Sequence, residues 1–135
     1  MSEPKTSGSG PGEPGKALIY VVDDEPMLLE LASVILEPSG IAIQAFSNPV
    51  QALEAFKSAP IAPALIITDY AMHPMNGMAF TAACRQIRPR QKILLISGTI
   101  EERACSDSAA EPDHFLAKPY QAKQLLDIVQ SMMAD

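Results

Sequence analysis

Five polar side chains of this chain stand at the ends of short apolar runs. Asp23 and Asp24 follow residues 17–22, and Asp69 comes just after residues 64–67. Ser97 ends the run 93–96, and Lys118 follows residues 115–117. Neighbouring carboxylates offer hard oxygen donors to a divalent cation such as Mg2+, which keeps several of its waters. A carboxylate can also attack phosphorus and form an acyl phosphate, a covalent intermediate. An ammonium can pair with the carboxylate before such a reaction and with a phosphoryl oxygen after it. A serine hydroxyl can donate to another phosphoryl oxygen. Three acids in one pocket repel each other, so a cation would relieve the empty site. The set suits Mg2+-assisted phosphoryl transfer.

Such chemistry needs elements that bring all five groups to one edge. Residues 17–22 are apolar and partly β-branched, as in a strand buried on both faces. Pro26 suits the first turn of a helix. Leu28, Leu31, Ala32 and Ile35 recur at helical spacing until Pro38 and Gly40 stop it. A second strand is predicted over 41–46. Asn48, Pro49 and Gln51 then read as a cap, a first-turn proline and a capping-box partner, with Leu53 and Phe56 facing the core. A third strand spans 64–68. Phe80, Cys84 and Ile87 mark a helix that stops near Pro89, and a fourth strand spans 92–96. The polar, Ala/Ser-rich stretch 100–110 predicts a short helix. A fifth strand covers 114–117. Ala122, Leu125, Leu126, Val129, Met132 and Met133 form one apolar stripe of a last helix.

Five β–α pairs define an α/β fold, a (βα)5 doubly wound parallel sheet. Right-handed crossovers favour the strand order 2-1-3-4-5. In such a sheet ligands bind beyond the carboxyl ends of the strands, where the five polar groups lie.

With 135 residues the chain fits one folded domain, assigned to residues 17–134. Residues 1–16 are rich in Gly, Pro, Ser and Glu and read as a disordered tail: native leader, linker or expression remnant. A net charge of −6 argues against direct binding to nucleic acid or to an anionic membrane. Cys84 and Cys105 have no metal-site or disulfide spacing and read as reduced thiols of a cytoplasmic protein, Cys84 half-buried. No secretory signal and no membrane-spanning run is visible.

The ordered set Asp23-Asp24-Glu25, Asp69 with Met72 and Gly77, Ser97-Gly98, and Phe115-x-x-Lys118-Pro119 resembles the receiver domains of two-component response regulators. The spacings of 46, 28 and 21 residues between Asp23, Asp69, Ser97 and Lys118 make the resemblance specific, and it covers about 17–133. It implies a flavodoxin-like fold of the stand-alone, chemotaxis-regulator kind. It implies Asp69 as phosphoacceptor, Asp23, Asp24, Asp69 and the Ala71 backbone carbonyl as Mg2+ ligands, and Lys118 as phosphoryl clamp. Ser97 and Phe115 become the switch pair, and Pro119 the cis proline behind the lysine. A histidine kinase or histidine phosphotransfer protein would supply the phosphoryl group, and residues 100–133 would form the readout surface. The protein would be a phosphoacceptor with slow autodephosphorylation, not an enzyme acting on a separate substrate.

The chain departs from the family pattern in places. His73 stands where proline is common, four residues after the phosphoacceptor, with Pro74 one later; Asn76 stands where an acid is frequent. Small Ala71 suggests an open approach for water to the acyl phosphate. His73 reads as a solvent-facing loop residue, and Met72, Met75 and Met78 as a possible adaptable rim. Two other readings stay open. One is a receiver module of a hybrid histidine kinase or larger regulator. The other is a Mg2+-dependent phosphohydrolase, against which Ala71 counts, because such enzymes commonly place a second acid there.

Overall fold

Alternating buried strands and amphipathic helices build a five-stranded, all-parallel sheet of order β2-β1-β3-β4-β5. The computed structural model describes residues 17–98 and 111–134. The strands are β1 Leu18–Val22, β2 Ala42–Phe46, β3 Leu65–Asp69, β4 Ile93–Ser97 and β5 His114–Ala117. Between and after them run helices α1 Pro26–Leu36, α2 Pro49–Ser58, α3 Gly77–Ile87 and α4 Ala122–Met133. The expected strand order holds. The helix predicted over 100–110 and the tail 1–16 lie outside the described residues.

The apolar runs occupy the centre of the sheet. β3 and β4 are buried throughout, and β1 nearly so. The more mixed strands β2 and β5 take the edges and stay half-exposed. One face of the sheet packs Ile19, Val21, Leu65, Ile67, Leu94 and Ile96 against α1 and α4. The other packs Tyr20, Val22, Ile66 and Ile93 against α2 and α3. A small third cluster, Met78 and Leu95 with Tyr70, Ala82 and Phe115 against them, lies beside the carboxyl edge.

Several local expectations change. On α1 the buried residues are Leu29, Ala32 and Leu36, so Leu31 points outward. The expected Ala32 is buried and Ile35 packs partly on the same core, while Leu29 and Leu36 take the places expected of Leu28 and Leu31. Asn48 Oδ1 accepts from the N–H groups of Val50 and Gln51, at 2.7 and 3.4 Å, so asparagine alone caps α2. The reciprocal capping box occurs instead at α4, between Gln121 and Gln124. Cys84 is fully buried rather than half-buried. Burial pushes its thiol up to about 12 against the opposing charges of Arg85 and Arg88, so it stays an unreactive thiol at neutral pH. Met72 and Met78 are buried too, so neither forms a surface rim. Thr68 Oγ1 lies 3.7 Å from the Met72 sulfur.

Candidate functional site

Strand register delivers the polar residues to one edge. Val22 pairs with Thr68, Asp69 with Ile96, and Ser97 with Ala117. Asp23 and Lys118 therefore stand one residue beyond their strands, flanking Asp69 and Ser97. The ladder continues past the strand ends. Asp23 N–H donates to Phe46 O at 3.1 Å, Tyr70 N–H to Ile96 O at 2.9 Å, and Lys118 N–H to Ser97 O at 2.9 Å. The backbone around the site is thus fixed by sheet hydrogen bonds rather than by free loops.

Asp69 is 5% exposed, and its Oδ1 pairs with Lys118 Nζ at 2.6 Å. Burial, the largest single influence on Lys118, pulls its pKa down. The hydrogen bond to Asp69 and the charges of Asp69, Asp23 and Glu25 together outweigh it, and the ammonium is held above its usual range. The Lys118–Pro119 bond is cis, as the resemblance implies; the His73–Pro74 bond is cis as well, which the sequence reading did not foresee.

Asp23 is 7% exposed, and its Oδ1 accepts the Glu25 N–H at 2.9 Å. Burial lifts the carboxyl to about 6. The Glu25 N–H opposes the shift, Asp69 adds to it, Lys118 opposes it and Asp24 adds to it. Asp24 is half-exposed and Glu25 faces solvent. Among the described residues no three His, Cys, Asp or Glu side chains close into a ready metal cage. The donor set still fits Mg2+, which needs few protein carboxylates and fills its octahedron with water and carbonyl oxygens. A buried acid with a raised pKa beside a second buried acid has the chemistry a cation would relieve.

This geometry gives a testable pH dependence for the metal-free protein. Burial holds the folded Asp23 carboxyl at about 6, against 3.8 for an ordinary solvated aspartate. Between these values the folded state holds a proton that the unfolded chain has lost. Stability from this group therefore falls as pH rises from about 4 to 6 and stays lower above, by on the order of 2–3 kcal/mol. Asp23→Asn should recover most of that at pH 7 and flatten the limb. Denaturant unfolding of both proteins in chelator, from pH 4 to 7, measures it; equal pH profiles would contradict the burial argument.

Ser97 is fully buried at the end of β4, and its Oγ has no hydrogen-bond partner among the described residues. A buried hydroxyl normally finds a partner. An unpaired one at a strand end beside Asp69 is poised for an acceptor that arrives there. Phe115 is part-buried on β5, against Leu95 and Met78. Ala71 is exposed in the loop after Asp69, as is His73. Two residues escaped the sequence reading. Tyr120 lies near Asp23, Lys118 and Asp69, and burial, then the Asp23 charge, raises its hydroxyl pKa. Tyr70 follows Asp69 and packs in the small cluster with Phe115. Nothing in residue type distinguished either from a core aromatic.

An open parallel α/β sheet with paired buried acids, a lysine and an unpaired hydroxyl on its carboxyl edge defines a phosphoacceptor type of domain. The chain belongs to the response regulator receiver domain family, whose model matches residues 19–130. It is 29% identical over 119 residues to the response regulator receiver protein CpdR of Brucella abortus, covering 87% of this chain and 97% of that protein. It is 26% identical over 120 residues to the sensor kinase CckA of the same organism, covering 88% of this chain but 13% of that protein. Among solved structures, the response regulator TrrA from Thermotoga maritima, in complex with Mg2+–BeF, superposes with a TM-score of 0.78 at 28% identity, covering 86% of this chain and 98% of that one. This chain is therefore a receiver domain of two-component phosphorelay signalling, a signalling phosphoacceptor rather than a conventional enzyme. Receiver domains bind Mg2+ and work with sensor kinases and downstream targets. Among the described residues no helix is long and apolar enough to cross a membrane.

Proposed function

We propose that Asp69 accepts a phosphoryl group from a phosphohistidine of a kinase or phosphotransfer protein. The observation that carries this is the 2.6 Å pair of buried Asp69 with half-buried Lys118, beside Asp23 and a Ser97 hydroxyl with no partner among the described residues. A carboxylate oxygen of Asp69 attacks phosphorus; the new P–O bond forms as the P–N bond breaks, and the imidazole leaves. Lys118 then turns from the carboxylate to a phosphoryl oxygen. Ser97 Oγ–H donates to another, and Phe115 moves toward the space the serine vacates. Asp23, Asp24, Asp69 and the Ala71 carbonyl would hold Mg2+, which supplies neutralisation of charge on the transferring group. The acyl phosphate would hydrolyse slowly, with Ala71 leaving water an approach. The cytoplasm is the compartment this partnership requires. The likeness to a short stretch of CckA supports a second reading, the same domain working as a module of a larger kinase or regulator. Residues 17–134 would be the folded unit in either case.

Helix α1 offers the docking face that this reading needs. Met27, Leu31 and Val34 are exposed large apolar residues at i, i+4 and i+7. Leu31 also lines a cavity of about 400 Å3 with Leu28, Gly98, Lys118, Pro119 and Tyr120, next to the acid site. One experiment tests both the site and the face. Wild type and Leu31→Arg are given Mg2+ with either a small acyl-phosphate donor or a phosphohistidine protein, and the label is mapped by mass spectrometry. The expected result is equal, hydroxylamine-labile uptake on the Asp69 peptide from the small donor. Uptake from the protein donor should be at least about tenfold slower in the variant. Label elsewhere than Asp69 removes the site; equal rates from the protein donor remove the face.

A further inference from the structure

The loop after Asp69 is stitched to the start of α3 more tightly than a surface loop needs to be. Tyr70 O accepts the Gly77 N–H at 2.8 Å, while Tyr70 N–H is held by Ile96 O on β4. Gly77 lies so close that a Cβ there would sit 2.4 Å from Asp69 O, 2.5 Å from Leu95 Cδ1 and 3.0 Å from Tyr70 Cα. Any side chain at 77 would push the phosphoacceptor strand away from α3. The backbone of Asp69 and Tyr70 therefore carries the first turn of that helix.

The Tyr70 side chain makes a second connection. Its ring packs on Leu95 and Met78, the same two residues that Phe115 packs on. Its hydroxyl oxygen accepts from Asn76 Nδ2 at 3.4 Å. The orientation of that amide is fixed, because Asn76 Oδ1 caps α3 by accepting the Ala79 N–H at 2.8 Å. A serine at 76 could make the cap but has no second polar group to reach Tyr70, whereas an aspartate could do both by accepting the Tyr70 O–H. Asparagine at this position performs both tasks at once.

We infer that Tyr70 is a positioning residue that couples the phosphoacceptor and Phe115 to the amino end of α3 through Asn76. The state of Asp69 is then expressed at the start of α3 as well as at β5. The physical chain is short. When Phe115 shifts, the surface of Leu95 and Met78 that it shares with Tyr70 is repacked. A ring anchored at its hydroxyl passes that repacking to the helix cap instead of absorbing it. The amino end of α3 becomes a second readout surface, on the opposite side of the sheet from α1.

The inference rests on Asp69 being the phosphoacceptor, and the test separates the two. Amide shifts are recorded on adding beryllofluoride with Mg2+ to wild type, Asn76→Ser and Tyr70→Phe. Wild type should respond at 69, 97, 114–117 and also 76–80. Both variants should keep their thermal midpoints, because the cap and the ring survive, and should respond normally at 97 and 114–117. Their response at 76–80 should fall at least about twofold. Tyr70→Phe removes the same link from its other end and leaves the Asn76 cap intact. A wild-type response that skips 76–80, or one kept in full by both variants, overturns the coupling alone. No response at 69 in wild type overturns the phosphoacceptor reading and the coupling with it.

Discussion

Asp69→Asn should reduce phosphoryl uptake from a small acyl-phosphate donor to background, a loss of more than about a hundredfold. Asparagine matches aspartate in shape, and Asp69 ends a fully buried strand, so the fold should persist. What is lost is the nucleophilic oxygen and one of two buried carboxylates. The charge of Asp69 is among the causes that raise Asp23. Its removal should let Asp23 titrate lower and should leave the half-buried Lys118 to swing toward Asp23. The variant should then be at least as stable as wild type without metal at neutral pH, while taking up no phosphate. Phosphopeptide mapping together with thermal melts checks both halves. Full uptake in the variant, with label moved to Asp23 or Asp24, would reassign the acceptor within the same pocket.

Much of this was legible in the sequence, for definite physical reasons. Central strands of a parallel sheet are buried on both faces, so their apolar runs are unbroken, and the first polar residue after each run marks the sheet edge. That pattern put Asp23 and Ser97 at the sheet edge without coordinates, and Asp69 one residue past Thr68. The edge strands were less plain, because β5 reads His-Phe-Leu-Ala and is only half-buried. Helix rotation was the weak point. Of Leu28, Leu31, Ala32 and Ile35, Ala32 is buried and Ile35 packs partly on the core, but Leu29 and Leu36 are buried where Leu28 and Leu31 were expected. An apolar helix with more than one possible stripe does not reveal which stripe the sheet will cover. The exposed Met27–Leu31–Val34 face, proposed above for docking, was hidden by that ambiguity. The methionines after Asp69 misled for a related reason: Met72 reaches into the core beside Thr68, a contact that loop composition does not encode. Tyr70 escaped because its role depends on Asn76, six residues away, and on a cluster built from three separate elements.

Lys118→Ala should separate holding the metal from transmitting the switch. In the metal-free protein the ammonium pairs directly with the buried Asp69, and its charge also opposes the rise of Asp23. Removing it takes away a charge that offsets the repulsion between the Asp69 and Asp23 carboxylates. At pH 7 the variant should lose about 2 kcal/mol of stability, less than a wholly buried pair would cost, because Lys118 is partly solvated. The sign with pH follows from the acids. Without the lysine Asp23 rises further above its wild-type value of about 6, so the loss is greatest at neutral pH and fades as both acids protonate. Mg2+ should restore stability, and by more than it does in wild type, since no ammonium competes for the Asp69 oxygen. Phosphoryl signalling should not recover with it. With Mg2+ and beryllofluoride bound, the variant lacks the direct Lys118 tie from the phosphoryl mimic to the end of β5. Amides 114–117 and Ser97 should then keep their resting shifts. Chemical denaturation across pH, with and without Mg2+, measures the first effect, and NMR with beryllofluoride the second. A variant that is as stable as wild type in chelator, or that shows the full β5 response, would leave Lys118 as a surface cation with no part in the switch.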